Sequence, residues 1–242
     1  MAATTTDGRM TVIEHLSELR RRLIISAVAI TVAAVACFIF SNSIIRFFVD
    51  YYHHATHGQK HVLIFLGPLD AFLTRIKVAT YGGVVVALPV WLWETWRFIT
   101  PGLHAREKRY AVPFVLSAIA LFALGAVVAL LTLTKALDFL LTIGGSSLRP
   151  ELTADKYLSL VGLMIVAFGA SFQLPVVLMF LLLARVLTTQ QLRRWRRPAI
   201  VIIVTFAALI TPSQDPYSLF FMAVPMYIFY ESSILIGRIL QR

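Results

Sequence analysis

Six runs of apolar residues, at about 22–41, 69–96, 111–134, 158–184, 198–211 and 217–237, alternate with short polar segments along the 242-residue chain. At about 1.5 Å per helical residue, four of them are long enough to cross a hydrocarbon core of about 30 Å. The run 198–211 reaches only about 21 Å as a helix. A turn signal with two prolines, PSQDP (212–216), separates it from the last run. The pattern predicts an all-α membrane protein of six transmembrane helices, the fifth and sixth forming a short hairpin, in a single integral membrane domain over 1–242. Pro89, Pro113, Pro175 and Pro225 fall inside the runs. Each removes a backbone hydrogen bond, so kinked helices forming a cup are expected rather than a straight bundle.

Ahead of the first run, Val12, Ile13, Leu16, Leu19 and Leu23 recur at helical spacing. This predicts an amphipathic helix over 10–22, lying on the membrane surface. The run 22–41 begins after Arg20–Arg22 and contains VAAVAC, ending at Cys37, which resembles a cleavable signal. It continues through Phe38–Phe40 to the length of a spanning helix, so a span is expected instead.

Composition supports the membrane assignment. Hydrophobic residues make up 59% and charged residues 14%, against about 25% charged in soluble domains. The net charge of +10 would suit a nucleic-acid binder, but its placement speaks otherwise. With six spans, 15 Lys and Arg fall on the side of the termini and 5 on the other, with Arg75 and Lys77 inside the second span and able to snorkel outward. That bias places both termini in the cytoplasm. No base-reading motif accompanies the charge, and no nucleic-acid partner is expected. Trp91, Trp93 and Trp96 fit an aromatic belt at the inner end of span two, and Tyr51 and Tyr52 one outside.

Catalytic motifs are missing. The chain has no Walker loop and no H-E-x-x-H. Gly169-Ala170-Ser171 has only part of a nucleophile elbow and no histidine in any span to serve it. His53, His54, His57 and His61 have a spacing that could bring three imidazoles together for zinc or copper, or lie in a solvated loop. No metal, cofactor or enzymatic activity is expected.

Costly polar residues mark candidate sites. Gln173 sits about mid-span beside Pro175, and an unpaired amide in hydrocarbon costs a few kcal/mol. It either bonds a neighbouring helix of the same chain or docks a partner. Glu94 and Arg97 are spaced to pair locally, and Glu231 lies two turns before Arg238. On the basic cytoplasmic face, Glu18 and Glu107 either pair with neighbouring arginines, Glu18 with Arg21 or Arg22, or accept guanidinium groups of an incoming peptide. A secondary transporter for a small solute is the alternative function, and a membrane-embedded enzyme a further one.

Read in order, HLSELRRRL (15–23), GPLDAF (67–72), WRFITPGLHAREKRY (96–110), LTADKYLSLV (152–161), AFGASFQLPV (167–176) and ITPSQDP with AVPMYIFYE (210–231) resemble TatC, the polytopic subunit of the twin-arginine protein translocase. The likeness covers about 11–240. It implies a non-catalytic receptor for twin-arginine signal peptides of folded cargo in the bacterial inner membrane. It also implies recruitment of TatA- and TatB-type single-span partners, self-association, and use of the proton-motive force. Carried onto this sequence, the resemblance assigns signal-peptide binding to Glu18, Arg20, Phe98, Pro101 and Glu107. It assigns partner-helix docking to Gln173, where the family often has Glu, and matches Asp215 to an acidic residue of the hairpin turn. GPLDAF lacks the family's more usual Thr-Glu pair, and the first external loop is rich in histidine.

Overall fold

The computed structural model describes residues 12–55, 63–99, 111–143 and 152–240, and among these it forms ten helices and no strand. They are α1 (Val12–Ile39), α2 (Ser41–Ala55), α3 (Pro68–Val86), α4 (Leu88–Ile99), α5 (Ala111–Thr142), α6 (Ala154–Ser171), α7 (Leu174–Leu183), α8 (Thr189–Arg194), α9 (Arg196–Ile210) and α10 (Pro216–Leu240). Four helical stretches are long and apolar enough to cross a membrane: Ile13–Ile39, Val112–Thr142, Ala154–Leu183 and Pro216–Ile239. Taken together, α3 and α4 make a fifth, bent by 52°. The 15 residues of α9 are too few to match the others.

The expected surface helix at 10–22 is not a separate element. Helix α1 runs unbroken from Val12 to Ile39. Nothing between those residues is Gly or Pro, so no residue stops helix propagation where the polar turn meets the apolar run. Its outer face stays bare: Leu23, Val28, Val32 and Val35 are all more than half exposed, as expected of a lipid-facing stripe.

Two of the four internal prolines break their helices. Pro89 lies in the first turn of α4, just after the bend. There the Trp91 indole N–H donates to the Val84 carbonyl at 3.1 Å. Pro175 sits in the first turn of α7, after the break that separates it from α6. The other two do not break theirs. Pro113 falls in the first turn of α5, where its missing N–H has no helical acceptor to lose. Pro225 lies within α10, which remains one helix.

Helices approach closely where side chains are absent. A Cβ on Gly83 would stand 2.7 Å from Ala34, so α1 and α3 meet almost backbone to backbone. A Cβ on Gly125 would stand 2.7 Å from the Phe168 carbonyl, which seats α5 against α6 in the same way. Around that contact lies the core: Leu133, Leu137, Tyr157, Met164, Phe168 and Phe172 are essentially inaccessible.

Helix α2 was hidden in what reads as an external loop. Its Ile44, Ile45, Phe48 and Tyr51 pack on the core, while Tyr52 is fully buried. Tyr52 is therefore a core residue and not a belt residue. The Tyr51 hydroxyl donates to the Leu130 carbonyl at 2.5 Å, and the Tyr157 hydroxyl to the Phe48 carbonyl at 2.8 Å. The same correction applies to Trp96, 3% exposed against Phe114 and Phe180.

Charged groups inside span two bind across helices instead of only snorkelling. Lys77 reaches Asp155 of α6 at 2.8 Å, and Arg75 reaches Asn42 of α2 at 3.0 Å. A parallel bridge between Ile64 and Thr153 joins the chain just ahead of α3 to the start of α6.

The Gly83 contact makes a direct prediction. Gly83→Leu should force α1 away from α3 and cost about 2 kcal/mol of overpacking strain. Gly67→Ala, whose Cβ would meet nothing nearer than Asp70 at 3.9 Å, should cost far less. Thermal unfolding of the two purified variants in one detergent checks the ordering.

Candidate functional site

The bend after α3 leans α4 onto the first turns of α1. Glu18 and Arg22 are one turn apart on α1, and Glu94 and Phe98 one turn apart on α4, so each pair lies on a single face. The faces meet at Arg22. Its guanidinium forks, with Nη1 2.7 Å from Glu94 Oε2 and Nη2 2.9 Å from Glu18 Oε1. Arg97 stands 3.8 Å from the other Glu94 oxygen. Toward the start of α1, His15 stacks on Phe98 with ring centroids 4.4 Å apart and planes 17° apart.

These groups are withdrawn from water. The side chains of Glu94, Arg22 and Glu18 are 8%, 15% and 18% exposed. At that depth an ion pair is screened far less than on an open surface, and removing one partner leaves a costly charge. Two carboxylates converge on Arg22, and with Arg97 on the second of them the cluster of four is formally neutral. Glu18 Oε2 is buried and has no hydrogen-bond partner among the described residues. One oxygen is fixed by Arg22 and the other is covered, so a further guanidinium N–H could reach Oε2 once the side chains over it shift.

The sequence assignments divide accordingly. Glu18 and Phe98 come together on this surface. Arg20 is exposed on α1, roughly 200° around the helix from Glu18. Pro101 and Glu107 lie outside the described residues. The sequence spacing pairs Glu94 with Arg97 and gives His15 no role in the site. Both belong to the site, and the only signal was the i, i+4 spacing of Glu94 to Phe98.

Gln173 stands at the break between α6 and α7. Its amide Nε2 donates to the Ala118 carbonyl of α5 at 3.0 Å and to the Gly169 carbonyl at 3.4 Å. The amide N–H therefore serves the chain's own helices. Oε1 is buried and lacks a partner among the described residues. Gln173 also lines an apolar cavity of about 230 Å³ with Trp91, Thr95, Phe114, Ala118 and Phe180.

Asp215 acts on the hairpin. It is 1% exposed, and its Oδ1 accepts the Ser218 N–H at 2.7 Å, which caps the start of α10 ahead of Pro216. Gln214, just before it, takes a left-handed φ of 48°, which completes the turn. Glu231 pairs with Arg196 of α9 at 2.6 Å and not with Arg238. The histidine set is split: His53 and His54 end α2, while His57 and His61 lie outside the described residues. Among the described residues no group of three or more His, Cys, Asp and Glu is placed to hold a metal.

The architecture has clear relatives. Residues 14–225 match the family model for TatC, the Sec-independent protein translocase protein. TatC of Frankia casuarinae is 42% identical over 97% of this chain and 67% of its own length. TatC of Aquifex aeolicus is 38% identical over 96% of this chain and 97% of its own. A crystal structure of the twin-arginine translocase receptor TatC superposes with a TM-score of 0.79 at 35% identity, over 95% of this chain and all of that one. A second, in the detergent DDM, superposes with a TM-score of 0.77 at 38% identity, over 93% and 99%. With the match covering most of the chain in sequence and in fold, this multi-pass membrane protein belongs to the TatC family of Sec-independent protein translocase proteins.

Proposed function

We propose that this chain is the signal-peptide receptor and scaffold of a twin-arginine translocase in the bacterial inner membrane, without catalysis of its own. The observation that carries the reading is the half-occupied Glu18 carboxylate. It is held by Arg22, lies one turn along α1 from the His15 that stacks on Phe98, and its buried Oε2 has no partner among the described residues. An arginine of the signal would donate one guanidinium N–H to that oxygen and stack its planar group on an aromatic face, which the compact ammonium of Lys does less well. Phe98 offers a ring face for a guanidinium; the resemblance also assigns signal binding to Pro101 and Glu107, and to Arg20, which faces away from Glu18 on α1.

Glu18 and Glu94 act differently in this reading. Glu94 is the structural anchor that fixes Arg22, and Glu18 is the acceptor. Six crossings, with α9 as the fifth, put both termini in the cytoplasm, with the arginine-rich segments around them. The short α9 thins the bilayer locally or borrows its polar flanks. Gln173 Oε1 and its cavity suit a polar side chain on the single helix of a TatA- or TatB-type subunit, and copies of the chain associate in the complex. The proton-motive force supplies the energy for transport.

Three measurements test this reading. Crosslinking of detergent-purified protein should favour an Arg-Arg signal peptide over its Lys-Lys version. Glu18→Gln should lower Arg-Arg crosslinking about tenfold, the equivalent of about 1.4 kcal/mol, with little change in thermal midpoint. Equal crosslinking of both peptides would sink the receptor assignment. In a Cys37→Ser background, Lys60→Cys should react with an impermeant maleimide added to intact cells, and Arg194→Cys only after lysis. Labelling of both from outside would contradict six crossings. Finally, Gln173→Ala should reduce co-purification of a single-span Tat subunit severalfold while Gln173→Glu retains it. Unchanged recovery in the Ala variant would confine Gln173 to bonding α5.

A further inference from the structure

A second cavity, of about 390 Å³, opens between α9 and α10 and shares no residue with the Glu18 surface or the Gln173 cavity. Arg196, Tyr227, Glu231 and Arg238 give it a polar rim, and Ile228 and Leu235 apolar walls. Glu231 holds Arg196 at 2.6 Å and accepts the Tyr227 hydroxyl at 3.2 Å, so its two oxygens are both used. Arg238 has no ion pair or hydrogen bond among the described residues and is exposed. Arg196 Nε is buried and lacks an acceptor among the described residues. The rim therefore keeps one uncompensated positive charge and one unused buried N–H donor.

The position of the cavity limits what could fill it. It lies at the end of α9 that begins with Arg196-Arg197, next to Trp195, which is 50% exposed, and to Arg193 and Arg194 in the last turn of α8. Past that end, Val201 and Ile202 of α9 and Ile228 of α10 are each more than half exposed. A guanidinium pair and a bare indole above an exposed apolar wall mark the depth of lipid headgroups. Basic pockets between membrane helices at that depth suit anionic headgroups. A phosphodiester brings two anionic oxygens and two acyl chains, so one molecule matches both the charged rim and the apolar walls.

We infer that the α9–α10 cavity is a binding site for one anionic phospholipid, its phosphodiester held by Arg238 and Arg196 and its acyl chains lying along Ile228 and Leu235. The site goes beyond the receptor function and does not depend on it. Lipid bound there would brace the short α9 against α10 through a ligand that the surrounding bilayer supplies.

Native mass spectrometry of the detergent-purified protein, titrated with phosphatidylglycerol or with phosphatidylcholine of the same chains, tests this. One phosphatidylglycerol should be retained at least fivefold more than phosphatidylcholine. Arg238→Gln, which breaks no bond in the structure, should abolish that preference, and Arg196→Gln should do the same. Thermal midpoints in detergent with phosphatidylglycerol or with inorganic phosphate separate lipid from free anion. A rise with the lipid alone supports the site, and an equal rise with phosphate overturns it in favour of a soluble-anion site. Equal retention of the two lipids, or a phosphatidylglycerol preference untouched in Arg238→Gln, also overturns it.

Discussion

In hydrocarbon, every backbone N–H and C=O must find its partner inside the protein, and this constraint organises the molecule. A proline within a span frees carbonyls that water cannot reach. At the first break the Trp91 indole bonds the Val84 carbonyl. At the second the Gln173 amide bonds the Gly169 carbonyl and reaches across to Ala118. Each repair recruits a polar side chain, and each repair lies beside a candidate site. The 52° bend carries Glu94 and Phe98 onto α1. The second break commits the Gln173 amide N–H and leaves its oxygen without a partner among the described residues.

The charged surface follows from the bend. Were α3 and α4 one straight helix, Glu94 would not face Arg22, and both ions would stand at the membrane edge with poor partners. Brought together, one guanidinium holds two carboxylates, which orients Glu18 through one of its oxygens. Such a site is preorganised: a ligand need not fix the acceptor, because the fold has already done so. The close approach of α1 and α3 at Gly83 supplies the rigidity behind it.

Fold class was legible because the bilayer imposes a length and a composition on each span, and the six apolar runs correspond to helices. Prolines were less legible. Whether Pro89 bends a helix while Pro225 does not depends on the neighbours that cover the freed carbonyl, and those are contributed by distant sequence. Helix α2 escaped notice because its apolar positions, among Asn42, Arg46, Asp50 and two histidines, read as loop composition. Its packing face at Ile44, Ile45, Phe48, Tyr51 and Tyr52 carried the helical spacing throughout.

Sequence by itself determined that this is a helical membrane protein, which residues are too polar to lie idle in it, and the order of motifs that marks its family. Local spacing was enough for these, because spans, caps and turns obey rules that act within a few residues. Only the tertiary structure decided the partners. It joined Glu94 to Arg22 across 72 positions of sequence, Lys77 to Asp155 across 78 and Glu231 to Arg196 across 35. Charges choose partners by distance in space, and two kinked helices can bring the same residues together or hold them apart without changing any local pattern.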